Sequence, residues 1–165
     1  MDELNHFSAS GRARMVDVSE KSVTQRVALA SGVLRMQPAT LQRIQAGKVA
    51  KGDVLTVADV AAVMAAKRTA DWIPMCHSLP LTGVEIVFSE IAQADAQGCV
   101  GLVVFATVRC VGQTGVEMEA LCAVSTALLT VYDMCKAVDR GMLIENVQLE
   151  EKRGGKSGMW RRGDT

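Results

Sequence analysis

The chain has 165 residues, with 18 Lys and Arg against 18 Asp and Glu, so its formal net charge is zero and no global basic field argues for nucleic acid. Apolar residues make up 49% and charged residues 22%, the composition of one globular domain with a sizeable core. The start, MDELNHFSASGRARM, does not read as a signal peptide. With no long uninterrupted apolar run and five cysteines lacking any CxxC spacing, a cytoplasmic, membrane-free protein with reduced thiols is expected.

Residues 1–14 are polar and rich in Ser, Gly and Arg, and are expected to be a flexible segment ahead of a single domain over 15–158. Residues 23–36 alternate through Val27, Leu29 and Val33 and predict a strand, interrupted near Ser31-Gly32 by a bulge. Pro38 opens a short helix that Gly47 ends. After a polar turn, Asp53 is a fair N-cap for a helix whose apolar residues Val57, Val60, Ala61, Met64 and Ala65 fall at helical spacing. Lys67 and Arg68 suit its C-terminal end, and Pro74 stops it. Residues 84–91 and 100–111 predict two strands joined through 94–98 as a hairpin. In the second, Val100, Leu102, Val104, Ala106, Val108 and Cys110 form one apolar set, while the set from Gly101 to Val111 is mixed. Residues 114–140 predict a long helix, with Thr114 and Glu117 at capping-box spacing and no charge from Ala120 to Tyr132. Residues 142–150 predict a last strand anchored by Leu143, Val147 and Leu149, and 159–165 a flexible tail.

The order β-α-α-β-β-α-β is that of an α+β ferredoxin-like sandwich with one added helix. It predicts an antiparallel four-stranded sheet with helices packed on one face and a second subunit as cover for the other.

Chemistry-bearing side chains concentrate at helix ends and in loops. Asp133 and Lys136, three residues apart, share one helix face and fit either a local ion pair or an acid–base site. His77 beside Cys76 fits a hydrogen-bonded structural histidine better than a metal ligand, since no second Cys/His pair stands at zinc-like spacing. The stretch KRGGKSG sets two glycines between cations like a phosphate-gripping loop, without the context of a P-loop.

The stretches MVDVSEKSVTQRVA, KGDVL, AAKRTADWIPMCHSL, TGVEMEAL, YDMCKAV and GGKSG, running from about residue 15 to 158, resemble the MoaC family, the cyclic pyranopterin monophosphate synthases of molybdenum cofactor biosynthesis. The resemblance implies a lyase that converts 3′,8-cyclised dihydro-GTP, made by a radical-SAM cyclase, into cyclic pyranopterin monophosphate and pyrophosphate. It also implies homohexamers, trimers of dimers, with sites at subunit contacts. No cofactor is implied, although Mg²⁺ can accompany the phosphates. By motif, Asp133, Lys136 and Lys51 match the catalytic residues. Met75, Cys76, His77, Met118, Glu119, Lys67, Arg68 and Arg26 match substrate-binding positions, and Lys152 and Lys156 the glycine-rich loop. Ser78 and Arg153 stand where the family usually has proline and serine. A ligand-sensing domain and an inactive assembly subunit are the competing readings, and retention of Asp133, Lys136 and Lys51 together argues against both.

Overall fold

The computed structural model describes residues 11–47, 49 and 52–164. Strands β1 (Thr24–Met36), β2 (Leu81–Ile91), β3 (Val100–Gly112), β4 (Leu143–Arg153) and β5 (Trp160–Arg161) form one antiparallel sheet in the order β2-β3-β1-β4-β5. Helices α1 (Pro38–Gln45), α2 (Val54–Lys67) and α3 (Thr69–Trp72) connect β1 to β2, and α4 (Glu117–Cys135) connects β3 to β4. The ferredoxin-like order holds, with α3 and the short β5 added to the expected elements. Residues 159–165, expected as a tail, instead contribute β5, which pairs Glu151 with Arg161 and Lys152 with Trp160.

The apolar set of β3 is the inner face of the sheet. Val100, Leu102, Val104, Ala106, Val108 and Cys110 are all buried. Helix α4 lies across β1, β3 and β4 on that face, and α2 lies beside it over β2. Val124, Leu128 and Val131 of α4 meet Leu34 and Leu102 of the sheet in the core. Fully burying each such side chain stabilises by about 1.5–3 kcal/mol, so this layer dominates the stability. By length and composition α4 could cross a membrane, but more than half of it is buried within the domain, as in a core helix.

The bulge lies on a different strand from the one expected. β1 runs unbroken against β3, and the extra residues fall in β4 at two places: opposite Gly32, where Asn146 takes a φ of 53°, and at Glu150, between the pairings of Leu29 and Ala30. Gly32 serves helix packing: a Cβ there would meet Val124 Cγ1 and Leu128 Cδ1 at 2.8 Å. The bulge also shifts the alternation of β4. Of the expected anchors Leu149 packs against the core, joined by Ile144, whereas Leu143 is 57% and Val147 37% exposed.

Helix α2 begins as predicted, with Asp53 Oδ1 accepting a hydrogen bond from Thr56 N at 3.1 Å. Of the expected inner face only Ala65 is buried. Ala58, Ala62, Ala65 and Ala66 turn inward, while Val57, Val60 and Met64 lie on the surface. Alanines let two helices approach closely, so the small residues take the contact with α4. At the start of α4 no side chain caps the helix, and the expected Thr114–Glu117 box does not form. The helix also ends at Cys135, earlier than predicted, with Lys136 as C-cap.

Candidate active site

An open cavity of about 970 Å³ lies where the start of β1, the β3–α4 turn and the loop after β4 come together. Its cations are Lys21, Arg26, Lys152, Arg153 and Lys156, against the acids Glu20 and Glu117. Clustered cations on a concave wall suit an anion with several charges. The backbone gives the cavity its shape. Gly154 and Gly155 adopt φ of 99° and 73°, and a Cβ on Gly154 would lie 2.1 Å from the Gln25 carbonyl oxygen. Arg26 donates to the carbonyls of Gly112 and Gln113 at 3.2 and 3.1 Å, tying the turn before α4 to β1. Gln113 in turn donates to the Ser19 carbonyl at 3.0 Å. Thr24 Oγ1, on the cavity wall, is buried without a hydrogen-bond partner among the described residues, an unmet polar group where a ligand would bind.

Of the expected site residues, Arg26, Lys152 and Lys156 share this cavity. Cys76 and Glu119 form a neighbouring group. Burial pushes the Cys76 thiol up, and the charges of Glu119 and Cys122 push it further. Glu119 is 3% exposed, and burial raises its carboxyl to about 7; its own backbone amide opposes this and the Glu117 charge adds to it. Cys110 feels Glu119, Arg26 and Glu117 together, so this group borders the cavity. Met118 is partly buried in the first turn of α4, and Met75 and His77 flank Cys76 in the segment after α3. Lys67 and Arg68 are exposed at the end of α2 and do not line the cavity.

Asp133 and Lys136 stand apart from both. Lys136 Nζ lies 2.6 Å from Asp133 Oδ1, and both side chains are more than half exposed. The hydrogen bond and charge of Asp133 hold the Lys136 ammonium above its usual range, so the perturbation comes from pairing and not from burial. Asp133 is sixteen residues beyond Glu117 on α4, roughly 24 Å along the axis at about 1.5 Å per residue. Within one chain this pair does not meet the cavity. Lys51 lies outside the described residues. Among the described residues no three His, Cys, Asp or Glu side chains converge to hold a metal ion.

The chain matches the MoaC family over residues 15–155. It belongs to that family. It is similar along its whole length to proteins named cyclic pyranopterin monophosphate synthase. The relative from Limosilactobacillus fermentum is 57% identical over 99% of this chain and 95% of its own length. Those from Chloroflexus aggregans and Thermomicrobium roseum are 56% and 57% identical, over 100% and 99% of this chain and 97% and 96% of their own. This MoaC chain thus carries its family's motifs in three places, two adjoining and one remote.

Two cavity residues, Lys21 and Glu117, match no substrate-binding position by motif, although the run Glu117-Met-Glu119 stands out in the sequence as a chemistry-bearing group at a helix end. Both belong to quoted motifs, EKSVTQ and TGVEMEAL, but local spacing assigned Glu117 to a helix cap. The antiparallel pairing of Thr24 with Gly112 brings Lys21 and Gln113 to one wall, a juxtaposition that strand register alone reveals.

Proposed function

We propose that this chain is a cyclic pyranopterin monophosphate synthase, a lyase of molybdenum cofactor biosynthesis. It converts 3′,8-cyclised dihydro-GTP to cyclic pyranopterin monophosphate and pyrophosphate. The observation that carries the reading is identity above one half, over nearly full length, to relatives of that name. The cation-lined cavity supports it, because a triphosphate substrate and a pyrophosphate leaving group both require paired positive charge.

In this reading Lys21, Arg26, Lys152 and Lys156 hold the phosphates, and Glu119 and Cys76 lie beside the ring system. Asp133 and Lys136 move protons during ring opening and closure, with Lys51 as a further catalytic lysine. Pairing with Asp133 favours the charged form of Lys136 and makes it a weaker acid, so substrate must break this pair before Lys136 can give up a proton near neutral pH. Mg²⁺ can travel with the phosphates. The substrate arrives from a radical-SAM cyclase, and the five free cysteines suit the cytoplasm.

The site is shared between subunits of a hexamer, a trimer of dimers. Two features support this. A separation of roughly 24 Å along α4 keeps Asp133 from its own cavity. Apolar side chains also face outward on both layers: Val57, Val60 and Met64 on α2, and Val87 on β2. Light scattering that returned the monomer mass of 17.6 kDa at micromolar concentration would refute the assembly. The activity is tested by incubating purified protein with the cyclised dihydro-GTP and assaying pyrophosphate and the pyranopterin. Absence of turnover by folded protein would defeat it.

A further inference from the structure

We propose that Glu117 is a built-in stand-in for substrate phosphate: its carboxylate occupies Lys152 until a polyphosphate displaces it. Lys152 Nζ lies 3.2 Å from Glu117 Oε1, and both residues line the cavity. The two come from different elements, Glu117 from the first turn of α4 and Lys152 from β4. Glu117 could have capped its own helix, yet no side-chain cap bond forms there. Space is reserved for its carboxylate. A Cβ on Gly115 would lie 1.9 Å from Glu117 Oε2, so in this arrangement the carboxylate rests in the space that the missing side chain leaves.

The other cations of the cavity divide into committed and available groups. Arg26 already gives Nε and Nη2 to the Gly112 and Gln113 carbonyls, which leaves only part of its guanidinium for an anion, and Arg153 is paired with Glu151. Lys21 and Lys156 have no ion-pair partner among the described residues and are exposed. An incoming anion therefore meets Lys21 and Lys156 first and must then take Lys152 from Glu117. A pair with each side chain about one-third exposed is weak enough to exchange. A phosphate group carrying two negative charges outcompetes one carboxylate for the ammonium, and a singly charged anion does not. Glu117 would thus select for polyphosphate and keep the empty cavity from retaining lesser anions.

The inference depends on the proposed function only in taking a polyphosphate as the cavity's ligand. The test is calorimetric titration of the intact protein with inorganic pyrophosphate at low salt. Glu117→Gln should bind roughly two- to fivefold tighter than the parent, the range expected for releasing a partly exposed pair. Glu117→Asp retains the charge at the helix start but shortens the reach, so it should tighten binding in the same direction. Lys152→Ala should weaken binding, and on that background Glu117→Gln should bring no gain. Unchanged or weaker binding by both Glu117 variants, with thermal melts like the parent, would overturn the stand-in role. So would an equal gain on the Lys152→Ala background, which would mean a general field effect. If the parent, Lys152→Ala and Lys156→Ala all bind pyrophosphate alike, the phosphate assignment of the cavity fails and the stand-in role with it. The synthase assay tests the activity separately.

Discussion

Arg26 lies directly over Gly155: a Cβ on that glycine would stand 1.7 Å from Arg26 Nη1. The guanidinium therefore presses on the loop backbone while donating to the Gly112 and Gln113 carbonyls. One side chain holds both the glycine loop and the turn before α4. Arg26, matched by motif to a substrate-binding position, has this structural role as well.

The two glycines should respond differently to alanine. At Gly154 the added Cβ meets backbone, the Gln25 carbonyl, at a φ that disfavours other residues. Gly154→Ala should lower stability by about 1–3 kcal/mol or more. Gly155 is also left-handed, at a φ of 73°, but there the obstacle is the end of a long side chain, which can swing away. Gly155→Ala should cost less stability but weaken pyrophosphate binding as Arg26 leaves its carbonyls. Thermal melts and calorimetry separate the two. Parent-like affinity in Gly155→Ala would mean that the seat of Arg26 is irrelevant to the anion.

Asp133→Asn should abolish turnover and barely change stability. Its ion pair with Lys136 is more than half exposed, and solvent screens such pairs so that they add little to stability. Retained product formation would reduce Asp133 to a surface partner. Mixing Asp133→Asn with Lys51→Ala under subunit exchange should restore part of the activity if the two residues of one pocket come from different chains. A mixture as inactive as its parts would exclude that division of residues.

Removing the chain after Glu150 should lower both stability and anion affinity. The cut takes away Glu151, Lys152 and Arg153, which pair with Leu29, Ala28 and Val27 of β1, and β5 as well. It also removes Arg162, which donates to the Leu149 carbonyl at 2.8 Å. The strand expected over 142–150 in fact runs on to Arg153, so the cut falls inside β4. Lys156→Ala is the cleaner probe of the loop. It should weaken pyrophosphate binding, more so at low salt, with an unchanged melting temperature.

Glu119 should make stability fall as pH rises. Its folded carboxyl sits at about 7 against 4.5 in the unfolded chain, so between those values the folded state binds more protons. Below about pH 4.5 there is no penalty, and above 7 it is complete, at most about 3.5 kcal/mol given about 1.4 kcal/mol per unit. Glu119→Gln should therefore gain on the parent between pH 4.5 and 7.5 in denaturant melts. A constant difference between the two proteins across that range would show that the carboxyl is not held up by burial.

What the sequence determined by itself is everything that a local period or a local cap controls. The inward set of β3 from Val100 to Cys110 follows from alternation, and the start of α2 from Asp53, whose side chain can reach only its own first turn. The family motifs likewise pointed to Arg26, Lys152 and Lys156, which share one cavity. Tertiary structure decided what depends on a partner distant in the chain. Glu117 forgoes its cap because Lys152, thirty-five residues later, is brought opposite it by the pairing of β4 with β1. Valines and methionine of α2 face outward because α4 approaches closely enough for alanine alone. The two register shifts fall in β4 and not β1, and one lies opposite Gly32, whose missing Cβ leaves room for Val124 and Leu128 of α4. The separation of Asp133 from the cavity is set by the length of a rigid helix, and motifs adjacent in function carry no record of that distance.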